Sequence, residues 1–439
     1  MKVCFVLNDI ALSGGTGVVV EHAHQLASRH GFDVTLATTS ADVAPWAHRR
    51  LPDMSCVTLE EARQDRYDVA IATLWSTCYS LFDVPAERYA SFVQSLEDRF
   101  YEPGAPGERV LAALTHALPV SFITEARWIA DILAEIRPDA PCFLVRNGVD
   151  KDVFALAEPP EARPTRPLHV LLEGHPDVWF KGLGEAAAVL RELHEPHVTT
   201  FVSPSGRDTD PPMGADRVVG PLSQADMATE YADTDVVLKL SRVEGMFGPP
   251  LEGFHMGATC VTTPVTGHDE FIEHGFNGLV ADWDDARGTA RMIDLLARDR
   301  RLLHYLRRNA WLTARGWPGW EQAGDFMAAA LETIAASSPP SPYPASAQML
   351  RDVWSGVSEL RRDRERAVLH GIGLGNDFRA VSEDNDRLRA RLEAIAEQER
   401  DGALGIARRL APYMRNPVVR AGVRGARALR GGRPARLEP

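Results

Sequence analysis

The chain has 439 residues, 45% of them hydrophobic, and a formal net charge of −13. That length calls for two domains or more, and the apolar share supports sizeable cores in water. No apolar run approaches the roughly 18 residues of a membrane-spanning helix. The five cysteines (4, 56, 78, 142 and 260) are scattered and lack CxxC spacing, which points to reduced thiols rather than a disulfide framework.

The N-terminus, MKVCFVLNDI, reads as a first strand and not as a signal peptide. Strand Val3–Leu7 is followed by a loop, Ser13-Gly-Gly-Thr-Gly17, a helix over Val18–His30 and a strand over Val34–Ala37. The alternation continues with strands Val69–Ala72, Ser91–Gln94 and Ser121–Thr124 and a helix over Ala126–Ile136. This is doubly wound α/β texture. Ala157–Pro167 reads as a linker. A second run then begins: strand Leu168–Leu172, loop Glu173–Lys181, helix Gly184–Leu193 and strand Thr199–Val202. Strand Val236–Leu240, a glycine loop over Glu244–Pro249 and a helix from Pro250 to Met256 follow, then strands Thr259–Thr262 and Gly278–Ala281. Around Trp311–Ala336 a Trp-rich turn precedes a helix that can pack back on the first domain.

Ser337–Ala347 is a Pro/Ser linker. Beyond it, Phe378, Val381, Asn385, Leu388, Leu392 and Ile395 follow alternating three- and four-residue spacings, with Asn385 at an a-type position. Two readings stay open: a short coiled coil pairing two chains through 378–399, or one amphipathic helix docked on its own protein. Arg408 to Arg436 holds nine arginines and no acid, leaving −22 for the rest of the chain. A basic tail on an acidic body suits an anionic membrane surface or a disordered solubilising tail. The acidic body argues against nucleic acid.

Several motifs can carry chemistry. In VEGMFGPPLEGF (243–254), Glu244 and Glu252 flank Gly245, Gly248, Pro249 and Pro250. The glycines permit close approach of another molecule, Pro250 suits a first helical position, and free amides at a helix start attract oxygen-rich ligands. Glu252 can also simply complement the helix dipole. The Ser13–Gly17 loop is phosphate-friendly but fails the dinucleotide fingerprint, since Val20 stands where the third glycine belongs. Lys181-Gly182 places a compact charge at a helix start. Asp208-Thr-Asp210 and Asp233-Thr-Asp235 match a short metal-site pattern, and His194-Glu-Pro-His197 reads as a surface turn rather than a zinc site. No Gly-x-Ser-x-Gly nucleophile elbow is present.

Together these pieces resemble a family 4 glycosyltransferase of the retaining, GT-B type, over roughly residues 1–336. The resemblance is carried by Glu244-Gly-Met-Phe-Gly-Pro-Pro-Leu-Glu252, similar to the family's E-x7-E signature, with Gly257, Thr262–Glu270 and Gly275–Val280 behind it. Ser13-Gly-Gly15, Asn147-Gly-Val-Asp150 with Phe154, Gly174, Lys181-Gly182 and Gly220 through Asp235 support it. It implies two Rossmann-like domains facing a cleft: an acceptor-side domain at 1–160 with a returning helix at 318–336, and a nucleotide-sugar domain at 161–317. A linker at 337–347 and a helical, basic extension at 348–439 lie outside it.

The resemblance further implies that Glu244, Met246, Phe247 and Gly248 hold the donor sugar, that Glu252 binds the ribose hydroxyls, and that the base lies near Leu222. Lys181 would stabilise the leaving diphosphate, with Gly14 and Gly15 near the phosphates. No divalent metal and no cofactor are implied, only a nucleoside diphosphate sugar as substrate. The implied setting is the cytoplasm, peripheral to the inner face of the cell membrane, with a glycan or lipid-linked acceptor. Two departures stand out. His175 takes the place of the family's Arg beside Gly174, and the first-domain catalytic His has no counterpart. At the expected strand end stands Phe92-Val-Gln-Ser-Leu-Glu97-Asp-Arg-Phe-Tyr101, similar to a rhamnose-transferring subgroup, with Gln94 and Glu97 on the acceptor side. Competing readings are a sugar-nucleotide epimerase of the same fold and a non-catalytic sugar-nucleotide-binding scaffold.

Overall fold

The computed structural model describes residues 1–11, 13–40, 54–102, 105–163, 166–205 and 213–338. The Asp208–Asp210 motif, the heptad segment 378–399 and the tail 408–436 lie outside the described residues.

The first half builds one parallel sheet. Its strands are β1 (Lys2–Leu7), β2 (Asp33–Thr38), β3 (Ser55–Thr58), β4 (Tyr67–Ala72), β5 (Ala86–Val93), β6 (Ser121–Thr124) and β7 (Cys142–Leu144). Their order in the sheet is β3-β2-β1-β4-β5-β6-β7. Between them lie α1 (Gly14–His30), α2 (Leu59–Ala62), α3 (Pro106–Leu114) and α4 (Arg127–Ile136). The second half repeats the plan with β8 (Leu168–Glu173), β9 (His197–Val202), β10 (Arg217–Val219), β11 (Val236–Lys239), β12 (Thr259–Thr262) and β13 (Leu279–Val280), ordered β10-β9-β8-β11-β12-β13. Its helices are α5 (Leu183–Arg191), α6 (Gln224–Asp233), α7 (Gly248–His255), α8 (Ala286–Arg298) and α9 (Arg300–Gly316), followed by α10 (Trp320–Ala336). The doubly wound α/β class read from the sequence is the fold observed.

Continuous apolar runs explain the central strands, because helices cover both faces of a parallel sheet. Val3–Leu7 is wholly buried. The strands missed in the sequence are short and lie toward the sheet margins: β3, β7 and β10. Strand β5 starts at Ala86, five residues before the expected Ser91, because the polar stretch Ala86–Tyr89 hides its first half. The expected Ser13–Gly17 loop is instead a helix cap and first turn: Ser13 Oγ accepts the Thr16 N–H at 3.1 Å and α1 runs from Gly14. Trp311 likewise sits inside α9, and the turn before the last helix is Trp317–Gly319.

Helix α10 crosses back to the first sheet. Its buried Met327, Ala328, Leu331 and Ile334 join the core formed by Phe5, Val19, Val20, Leu26 and Ile71. The return path is pinned where Trp317 Nε1 donates to the Asn147 carbonyl at 2.9 Å. The second sheet has its own cores, one around Phe247, Leu251 and Phe254 and one around Val170, Leu238 and Leu306. Among the described residues no helix is long and apolar enough to cross a membrane.

Since Leu331 is fully buried between α1 and the sheet, Leu331→Ala should cost about 2–5 kcal/mol in urea unfolding. A cost below about 1 kcal/mol would mean that α10 is not part of the first domain's core.

Candidate active site

The site forms where β8 and β11, adjacent in the second sheet, reach their carboxyl ends. Doubly wound sheets bind ligands at that edge. Both strands end in a charged residue, Glu173 on β8 and Lys239 on β11. Lys239 is almost wholly buried and donates to the Glu173 carboxylate and carbonyl. Its ammonium also lies 4.0 Å from Glu244 Oε1. Lys181 comes from the short turn Trp179–Lys181, and its Nζ donates to both Glu244 oxygens at 3.0 and 3.1 Å. The next residue, Gly182, has φ 68°, and a Cβ there would fall 2.0 Å from the Leu240 carbonyl oxygen, so only glycine lets the Lys181 turn lie this close to the strand end.

The glycine loop after β11 ends in α7. Gly248 opens that helix with Pro249 and Pro250 in its first turn, as expected for residues whose first N–H groups have no intrahelical partner. Phe247 is fully buried in the core beneath the loop and anchors it there. Glu252 sits one turn into α7 and is hydrogen-bonded to the Tyr231 hydroxyl. Burial, followed by the neighbouring Glu173, pushes the Glu252 carboxyl up to about 8, against the pull of Tyr231 and Lys239. Glu173 stays below the usual carboxylate range. Burial works against its charge, but Lys239 and Lys181 outweigh it.

The first domain closes directly onto this loop. A Cβ on Gly245 would lie 1.8 Å from the Gln94 carbonyl oxygen and 2.8 Å from Glu125 Oε1, so the two backbones meet at this glycine. Trp128 Nε1 donates to the Gly245 carbonyl at 3.1 Å. Glu125, at the carboxyl end of β6, accepts the Met246 N–H at 2.8 Å with one oxygen and Asn147 Nδ2 at 2.6 Å with the other. The buried His22 ring hydrogen-bonds the Asn147 side-chain oxygen at 3.4 Å. Burial, with Glu244 adding to it, raises Glu125 to about 7. Further across the seam, Arg99 donates to Thr266 at 2.9 Å, Arg146 pairs with Glu270 at 3.2 Å, and the Phe100 and Phe180 rings stack at 5.1 Å.

The residues singled out in the sequence divide into three groups. Lys181, Glu244, Met246, Gly248 and Glu252 cluster at the second domain's edge. Gly15 and Gln94 meet each other, since a Cβ on Gly15 would lie 3.3 Å from Gln94 Oε1, and Gln94 meets Gly245. Gly14 opens α1 beside them. The others stand apart. His175 accepts the Asp177 N–H at 3.3 Å and faces Ser205 at 3.4 Å, with its side chain 42% exposed. Leu222 packs partly buried at the margin of the second core. Glu97 is placed differently from the acceptor-side expectation. It is buried inside the first domain, accepts the Trp75 N–H, and lines a small cavity with Ser91, Phe92 and His116. Burial is the main reason its carboxyl rises to about 8. The first-domain carboxylate that reaches the glycine loop is Glu125.

Asp233 and Asp235 are occupied by Arg166, Arg163 and His169. Among the described residues no group of three or more His, Cys, Asp or Glu side chains is placed to hold a metal ion. Glu125, Asn147, Glu173 and Lys239 were given no role from the sequence. A lysine ending an apolar strand was the available signal, because a buried charge has to be paired.

Residues 208–299 match the family described as glycosyl transferases group 1. No curated protein matches the chain in sequence. Among solved structures, Anabaena HepE in complex with UDP and glucose superposes with TM-score 0.61 at 15% identity, covering 76% of this chain and 100% of that one. Sucrose-phosphate synthase from Thermosynechococcus elongatus superposes with TM-score 0.63 at 16% identity, covering 77% and 100%. WaaG, a glycosyltransferase involved in lipopolysaccharide biosynthesis, superposes with TM-score 0.56 at 13% identity, covering 76% and 100%. The two-domain α/β architecture is that of the GT-B fold.

Burial raises the Glu97 carboxyl to about 8 in the folded chain, so it makes stability depend on pH. An unfolded Glu releases its proton near 4.3. From there up to about pH 8 the folded state binds the extra proton, so stability falls as pH rises. Glu97→Gln removes that fall. Its stability advantage over the parent in urea unfolding should therefore be absent near pH 4 and grow toward pH 8, by about 1 kcal/mol per pH unit. An advantage that shrinks with rising pH would contradict this assignment.

Proposed function

We propose that the chain is a glycosyltransferase that moves a hexosyl or deoxyhexosyl group from a nucleoside diphosphate sugar to a glycan or lipid-linked acceptor in cell-surface polysaccharide synthesis. The observation that carries this reading is the Lys181–Glu244 pair beside the amide-rich start of α7, closed over by Gln94 and Gly15 of the other domain. The group 1 glycosyltransferase match over 208–299 covers Glu244, Glu252 and the start of α7.

In this reading the donor lies along the carboxyl edge of the second sheet. Glu244 accepts hydroxyl hydrogen bonds from the sugar, as carboxylates do strongly and directionally, and the raised Glu252 carboxyl hydrogen-bonds the ribose hydroxyls. The bond from the anomeric carbon to the diphosphate oxygen breaks, and its electron pair leaves with the diphosphate. Lys181 and the first amides of α7 stabilise that growing charge, the type of interaction that dominates many enzymic rate enhancements. The acceptor hydroxyl bonds to the anomeric carbon on the face the diphosphate leaves, and its proton passes to a phosphate oxygen. The configuration is retained, and neither a metal nor a cofactor takes part. His175 is turned toward Asp177 and Ser205, so Lys181 carries the side-chain charge at the diphosphate. The seam through Gln94, Glu125 and Trp128 excludes water and protects the donor from hydrolysis. Pairing through 378–399 and contact of 408–436 with an anionic membrane surface at the cytoplasmic face complete the proposal.

Purified protein should slowly release nucleoside diphosphate from one member of a donor panel. Glu244→Ala and Lys181→Ala should each lower that release about 100-fold or more. Release that survives both substitutions would remove the site from the mechanism.

A further inference from the structure

Lys181 faces a conflict in the proposed reaction. Both Glu244 oxygens hold its ammonium in the structure, yet the leaving diphosphate needs the same cation. If Lys181 turns to the diphosphate, Glu244 loses the partner that balances its charge, and Glu244 is 8% exposed. A buried carboxylate left without a cation is a costly unpaired charge.

We propose that Lys239 is a resident countercharge that holds Glu244 in place while Lys181 exchanges its carboxylate partner for the donor diphosphate. The proposal rests on the glycosyltransferase reading and adds a positioning residue to it. Three observations support it. Lys239 Nζ lies 4.0 Å from Glu244 Oε1. Its side chain is 1% exposed and tethered to the Glu173 carboxylate and carbonyl, so it cannot follow Lys181 to a ligand. Lys181, by contrast, hangs from a short turn with its side chain 29% exposed. One cation is fixed and the other is free to move, and they share one carboxylate.

The other titratable groups around Lys239 are Glu173 from β8, Glu252 from α7 and Tyr231 behind it on α6. Strand β12, its other neighbour, carries no charged residue, and Glu185 of α5 is engaged by Arg242. Burial alone would discharge Lys239, but Glu173, Glu244 and Glu252 together hold it charged. Glu173 by itself cannot account for this arrangement, because a single carboxylate partner does not require the ammonium to approach Glu244 as well.

The test must separate service to Glu173 from service to Glu244. Lys239→Met alone strands Glu173 as an unpaired buried charge, so the decisive variant is the pair Glu173→Gln/Lys239→Met. Replacing a buried ion pair as a unit by groups of similar size is often neutral for folding, and it leaves the net charge of the site unchanged. Circular dichroism and thermal melting would establish the fold. Binding of UDP, GDP and thymidine diphosphate would then be measured by calorimetry, and donor hydrolysis from pH 5.5 to 9. In the folded pair variant, the nucleoside diphosphate that the parent binds should bind about tenfold more weakly. Donor hydrolysis at saturating donor should fall about tenfold across that range. If either quantity stays at its parental value, Lys239 serves Glu173 alone and the inference is overturned. Absence of binding and hydrolysis in the parent protein is a different result, and it would overturn the glycosyltransferase reading beneath it.

Discussion

The site depends on the cost of holding carboxylates at the buried carboxyl edge of a parallel sheet. Glu173, Glu244 and Glu252 converge there, and three like charges in a low-dielectric place cannot all stay ionised without cations. The chain answers with two lysines of different character. Lys239 is locked at the end of β11, and Lys181 is carried on a turn that only a glycine at 182 permits. The two lysines settle which acids remain charged. Glu173 lies beside both and is held ionised, while Glu252 is pushed up to about 8. The positive charge at this edge is thus already occupied by carboxylates.

The same economy governs the seam between the domains. Gly245 lets the Gln94 carbonyl approach closer than any side chain would allow. Glu125 meets the Met246 amide, and Trp128 meets the Gly245 carbonyl. The backbone of the glycine loop is therefore satisfied by the first domain, in keeping with the rule that buried backbone polar groups find partners. The His22–Asn147–Glu125 chain carries that contact back into the first domain's core.

Glu97 and His175 make contacts that the sequence does not show. Glu97 and Glu125 both follow first-domain strands, β5 and β6, and both are buried carboxyls. Linear order favoured Glu97 because it sits in a recognisable stretch. The 3-10 turn at Glu97–Phe100 brings the Glu97 carboxyl to the Trp75 N–H instead. Glu125 lies at the strand end directly before α4, the position from which a side chain can span the cleft. His175 was read as a charge for the diphosphate by its place after Gly174, yet its ring is drawn to Asp177 and Ser205.

Sequence alone determined the two α/β runs and the glycine loop between a strand and a helix. It also marked Glu244, Glu252 and Lys181 as unusual, because hydrophobic period, glycine and proline placement and helix-start chemistry are local properties written in neighbouring residues. The edge strands escaped because they are too short for a period to show, and the start of β5 because its residues are polar. The partners escaped for a different reason. The contacts of Lys239 with Glu173, of Glu125 with Met246, and of Gln94 with Gly245 join residues far apart in the chain, up to 151 positions in the last case. Strand pairing within the second sheet brings the first pair together, and the meeting of the two domains brings the other two. The tertiary structure therefore decided which charges balance each other, with Lys239 buried and tethered to Glu173 and Lys181 part-exposed on its turn.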